Sequence, residues 1–202
     1  MQRFESSTED VIPAVSDIQA VTQGNRNYWE SVLAARWTPL EFATLVNEAL
    51  RHDAEDEVER RVQISANDLS QEKLNQMINA LTDDRVLAIY SNCELDNSEL
   101  AHIPMMDFRC PPNRNNLKRV ELSMEAMGLR GAIVESGNSY HFYGFELFGE
   151  AEWLDFMAKC LLLSPLTDSR YIAHRLLGRA CVLRISANNS KPTIPFIRSV
   201  LK

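Results

Sequence analysis

Apolar positions along the chain change their rhythm near residue 85. Ahead of it they recur three and four apart, the spacing of a helix face. Leu40, Phe42, Leu45, Val46 and Leu50 predict a helix to about residue 51. Thr38 is its expected N-cap, with Pro39 at the first helical position and Glu41 three residues past the cap. Leu74, Met77, Ile78 and Leu81 predict a second helix over about 70–81. A shorter helix is expected from Tyr28 to Trp37. The first 25 or so residues, poor in apolar positions and ending in Gly24-Asn25, read as a loose or weakly helical arm. The charged stretch from Asp53 to Arg61 reads as a solvated helix end or linker.

From Arg85 onward, short apolar runs alternate with helical spacing. Val86–Tyr90, Ile103–Phe108 and Ala180–Ile185 suit buried strands. Gly131–Val134 and Ser139–Tyr143, joined by the turn at Ser136-Gly137-Asn138, predict a hairpin. Leu117, Val120, Met124 and Met127 predict a helix over 113–127, stopped by Gly128. Trp153, Phe156, Met157, Cys160 and Leu161 predict another over 150–163, ended before Pro165. A third starts near Thr167-Asp168 and runs to about Leu177. Interleaved strands and helices of this kind define an α/β (α+β) fold, a small mixed sheet with packed helices. The expected organisation is a helical, acidic N-terminal region over 1–84 and the α/β domain over 85–202.

Composition adds little until the chain is divided. No run approaches the length of apolar chain that a membrane helix needs. The N-terminus is acidic and lacks an apolar signal segment, so a cytoplasmic protein without membrane contact is expected. The four cysteines are scattered without zinc spacing and are expected to be reduced. Residues 1–100 carry 8 Lys and Arg against 19 Asp and Glu, a net of −11; residues 101–202 carry 13 against 9, a net of +4. A net charge of −7 disfavours a broad nucleic-acid-binding surface, because phosphate neutralisation supplies most non-specific affinity. A local nucleotide or nucleic-acid contact in the basic half remains compatible with it. The acidic half either docks a partner protein or serves only to keep the chain soluble.

Three polar features interrupt apolar elements. Asp107 is set among Met105, Met106 and Phe108, and a carboxylate so placed needs a partner or an ion. Mg²⁺ or Mn²⁺, which take oxygen ligands, would suit it; pairing with an arginine at a strand end is the alternative. In Ser136-Gly137-Asn138-Ser139-Tyr140-His141, hydroxyls and an imidazole flank a glycine turn, as contacts to phosphate would require. A plain hairpin with a half-exposed histidine has the same sequence. Asp168 stands at a helix start, where capping is the simpler role. Arg170, His174, Arg175 and Arg179 follow it, able to clamp a polyanion or to pair with the acidic half.

The order of these features resembles the archaeo-eukaryotic primase (primase-polymerase) superfamily. Met106-Asp107-Phe108-Arg109 is similar to its hydrophobic-Asp-hydrophobic-Asp strand motif, Ser139-Tyr140-His141 to its small-x-His motif, and Asp168 to its third acid. The stretches SGNSYHFYG and DSRYIAHRLL…CVLRIS look like those of small bacterial primase-like proteins. The resemblance covers 103 to about 190, with the middle motif the most specific. It implies a nucleotidyltransferase, or a weakened descendant of one, using nucleoside triphosphates at a DNA or RNA end. On that reading Asp107 and Asp168 ligate Mg²⁺ or Mn²⁺, and His141 and Ser139 grip the triphosphate. Ser136 and Gly137 join them in binding the nucleotide, and Arg170 or Arg175 neutralises charge. Arg109 occupies the second acidic position, a two-unit swing against a metal centre. Glu135 or Glu146 would have to replace the lost acid; otherwise the site holds one metal or none, and Arg109 binds phosphate directly. A non-catalytic nucleotide-binding module and a structural subunit with a vestigial site are the alternatives.

Overall fold

A computed structural model of the chain describes residues 39–50 and 61–202. The expected arm, the helix from Tyr28 to Trp37, the cap at Thr38 and most of the linker lie outside the described residues. Contacts divide the chain into units 1–59 and 60–202. In the first unit, α1 spans Pro39–Leu50, beginning at the proline as its sequence requires.

The second unit starts with a 3₁₀ turn at Ala66–Asp68 and α2 (Gln71–Asn79). Ser70 caps α2 by accepting from the Lys73 amide at 3.1 Å. Then come β1 (Ala88–Tyr90), β2 (Asn92–Glu94), β3 (Leu100–His102) and β4 (Met105–Asp107). These are followed by α3 (Arg114–Ala126), β5 (Gly131–Glu135), β6 (Tyr140–Gly144), α4 (Glu150–Leu162), α5 (Ser169–Leu177), β7 (Val182–Arg184) and β8 (Phe196–Leu201). Asn113 caps α3 through the Asn116 amide at 2.9 Å, and Gly128 follows the helix with φ +72°, a conformation natural to glycine.

Helices on small sheets give the α/β class expected. In one particular the strands differ from a mixed sheet: every pairing among the described residues is antiparallel. The principal sheet has the order β4-β6-β5-β8, with β1-β7 and β2-β3 as two-stranded ladders beside it. Sequential hairpins such as β5–β6 need only a short turn, whereas parallel neighbours would need a crossover. The β2–β3 hairpin and β8 were not expected from the sequence.

The core explains the arrangement. Trp153, Phe156, Met157 and Cys160 recur on one face of α4 and are buried, as are Ile172 of α5 and Val120 and Met124 of α3. They meet Met105, Met106, Ile133 and Phe142 of the principal sheet in one cluster. Met105 and Met106 are adjacent and both fully buried, so β4 is covered on both faces. Ser91 ties the ladders together: its hydroxyl accepts from the Cys181 amide at 2.9 Å and its carbonyl accepts from Ile103 at 2.7 Å. All four cysteines are free thiols, three of them buried. No described helix is long and apolar enough to cross a membrane.

Candidate functional site

The end of β4 is bonded on both sides. Beyond Asp107 the chain stays extended: the Phe108 amide donates to the Tyr140 carbonyl at 2.9 Å and the Arg109 amide to that of Leu166 at 2.7 Å. Phe108 also bridges antiparallel to Thr167. Asp107 therefore lies between the start of β6 and the approach to α5. It faces His141 directly in the β4–β6 register. The imidazole Nε2 and the Asp107 Oδ1 are 3.6 Å apart, with the histidine side chain 8% exposed and the aspartate 33%. The half-exposed histidine of a plain hairpin is therefore not what forms. Asp168 joins the pair from the other side, its amide 3.4 Å from the Asp107 carbonyl oxygen.

These placements set the charge states. Burial and the neighbouring Asp168 carboxylate push the Asp107 carboxyl up to about 7, against the pull of Lys191, Arg184 and Arg175. Burial, with the cations Arg184 and Lys191, pushes His141 down to about 3, so its ring is neutral at physiological pH. The ring Nδ1 is buried without a hydrogen-bond partner.

The turn after β5 has the geometry its sequence predicts. Gly137 has φ +105°, and the Ser136 amide donates to the Ser139 carbonyl at 2.9 Å. The Ser139 hydroxyl donates to the Phe108 carbonyl, which moors the turn to the end of β4. The Ser136 hydroxyl bonds within the turn, to the Ser139 carbonyl at 3.2 Å. Both hydroxyls serve the cradle's shape.

Asp107, Arg109, Ser136, Gly137, Ser139 and His141 all line one open cavity of about 390 Å³. Asp107 and Arg109, two apart on an extended strand, lie on one side of it. Arg184 at the end of β7, and Lys191 and Thr193 in the loop after it, also line the cavity. Asp168, Arg170 and Arg175 do not line the cavity. Asp168 caps α5, accepting from the amides of Arg170 at 2.9 Å and Tyr171 at 3.1 Å. The Arg175 guanidinium lies over the Tyr171 ring, 5.2 Å from its centroid, and reaches Asp107 only through its field.

Arg184 and Lys191 were missed in the sequence. Arg184 carried a usable signal, a charge inside the apolar run Cys181–Ile185, the same signal that singled out Asp107. Lys191 lies in a Ser- and Asn-rich loop that carries none. Neither Glu135 nor Glu146 replaces the acid absent at position 109. Glu135 is paired with Arg198 at 3.1 Å, and Glu146 with Arg130 at 3.7 Å. Among the described residues no three His, Cys, Asp or Glu side chains are grouped to hold a metal ion. The donor set therefore does not fit a two-ion centre, which needs several carboxylates around both ions.

An antiparallel sheet flanked by helices, with an acid, a histidine and a lysine-bearing loop at one open cavity, defines a small α/β domain with a polar pocket. The sequence model of the family described as archaeo-eukaryotic primase 1D-like matches residues 65–195, and the chain belongs to that family. No curated protein and no solved structure matches the chain.

Proposed function

We propose that the chain is a nucleotide-binding primase-like domain whose cavity receives the triphosphate of a nucleoside triphosphate. One observation carries the reading: two segments far apart in sequence bring Arg109 and Lys191 to a single pocket against one carboxyl, that of Asp107. An excess of cations over a cradle of this kind attracts a polyanion. Arg109 and Lys191 form no ion pair among the described residues, so their charge is available to phosphate oxygens. Asp107, with its carboxyl near 7, keeps a proton more readily than an ordinary aspartate, which lowers its repulsion of phosphate. The neutral His141 offers a ring nitrogen at the same wall.

Calorimetric titration with ATP and dATP, with and without Mg²⁺ or Mn²⁺, tests the reading. Binding is expected, and the double variant Arg109→Glu with Lys191→Glu should abolish it. Absence of binding by the unaltered chain to any nucleoside triphosphate would refute the proposal.

A second reading, nucleotidyl transfer to a DNA or RNA 3′ end, is favoured by the closeness of Asp168 to Asp107. Two neighbouring carboxylates repel, and a divalent cation between them would relieve that repulsion. Labelled nucleotide incorporation that disappears in Asp107→Asn with Asp168→Asn would select transfer; incorporation unchanged in that variant would sink it. Under either reading the acidic half suits a basic protein partner better than nucleic acid.

A further inference from the structure

Two walls of the pocket, the turn 136–139 and the loop segment 190–193, are held by one side chain. The Arg184 Nη1 donates to the carbonyls of Ser186 at 2.9 Å and Thr193 at 2.7 Å, and Nη2 donates to the carbonyl of Ser136. We infer that Arg184 is a positioning residue that sets the width of the triphosphate pocket by clasping its two walls, and leaves the grip on phosphate to others. This rests on the reading of the cavity as a triphosphate site.

Three features support it. Arg184 projects from a fixed frame: it pairs with Ala88 in the β1–β7 ladder, and the Tyr143 hydroxyl donates to its carbonyl at 3.3 Å. A guanidinium has five N–H donors in a rigid fork, and three carbonyls already draw on Arg184. The walls also touch beside the clasp: a Cβ built on Gly137 would lie 3.0 Å from the Thr193 Cβ. Arg109 and Lys191 stand on separate segments, so the spacing between the two available cations depends on the clasp. A phosphate chain spanning both would feel any widening as lost contacts.

The alternative, in which Arg184 binds phosphate directly, predicts different behaviour. A lysine keeps the charge but cannot hold three carbonyls at once. ATP affinity is to be measured over a range of salt concentrations for the full chain and for Arg184→Lys, Arg184→Gln and Gly137→Ala. If Arg184 positions, the lysine variant loses as much affinity as the glutamine variant, roughly ten- to a hundredfold. The dependence on salt keeps its slope. Gly137→Ala, which retains Arg184 but strains the turn at φ +105° and presses a methyl group against Thr193, weakens binding in the same direction. Near-normal affinity in Arg184→Lys, or a salt slope lowered by about one unit in Arg184→Gln, overturns the inference.

Amide exchange supplies a readout that needs no ligand. Both Arg184 variants should exchange faster than the unaltered chain over 187–193 while β5 and β6 keep their protection. Unchanged exchange in the loop overturns the clasp even if no nucleotide binds. Failure of the unaltered chain to bind ATP, with faster loop exchange in the variants, would instead refute only the triphosphate reading.

Discussion

At the scale of single residues, Asp107 links the stability of the fold to pH near neutrality. Its carboxyl titrates near 7 in the folded chain and near 3.8 when unfolded, so folding favours its protonated form. That contribution is fully present below the unfolded value and is lost as pH rises through about 7. Asp107→Asn cannot ionise and escapes the loss. Its stability relative to the unaltered chain should rise between pH 5 and 8, by about 1–2 kcal/mol after allowance for solvent screening. Denaturant melts at a series of pH values check this, and a difference independent of pH would contradict it. The conspicuous signal of Asp107, a charge in an apolar run, was legible in the sequence. Arg184 gave the same signal, but what an arginine at that point holds is decided by three carbonyls up to 48 residues away.

At the scale of elements, the start of α5 combines a cap with a charge. Asp168 accepts from two backbone amides, and its carboxylate also raises Asp107. The two roles separate by substitution. Asp168→Ala loses the cap and should cost about 1 kcal/mol. Asp168→Asn, a comparable cap without the charge, should leave the melting temperature nearly unchanged and shift the Asp107 titration downward. Thermal melts with infrared detection of the carboxyl test both; an Asp107 titration unmoved in Asp168→Asn would show that burial alone sets it. Helix starts of this kind were readable because their signals lie within a few residues: Asp168 caps as its side chain suggests, and Ser70 and Asn113, where the expected helices begin, turn out to be their caps. The hairpin β5–β6 was readable for the same reason, with Gly137 supplying its turn. Strand β8 was not, since its pairing with β5 spans more than sixty residues and its Ile, Phe and Val positions follow two prolines in a short segment. The β2–β3 hairpin turns at Asp96-Asn97-Ser98, with Ser98 at φ +63°, and its polar strands lack the run of apolar residues that marked the others.

Over the whole molecule, charge is partitioned more sharply than composition suggests. Residues 1–59 hold 4 Lys and Arg against 12 Asp and Glu, whereas residues 60–202 hold 17 against 16. Removing 1–59 changes the formal charge from −7 to +1, and the fragment retained is a compact unit. It should bind single-stranded oligonucleotides more tightly than the full chain at low salt, with the difference vanishing as salt screens the acids. Fluorescence anisotropy at two ionic strengths tests this; equal affinities at low salt would mean that the acidic segment does not act on the pocket's surroundings. The backbone around Phe108 and Arg109 carries a separate implication. Main-chain bonds to Tyr140 and Leu166 fix it, and such bonds are indifferent to which side chain the strand carries. Exchange of an acid for an arginine at position 109 therefore leaves the scaffold untouched and alters only the charge that the pocket presents.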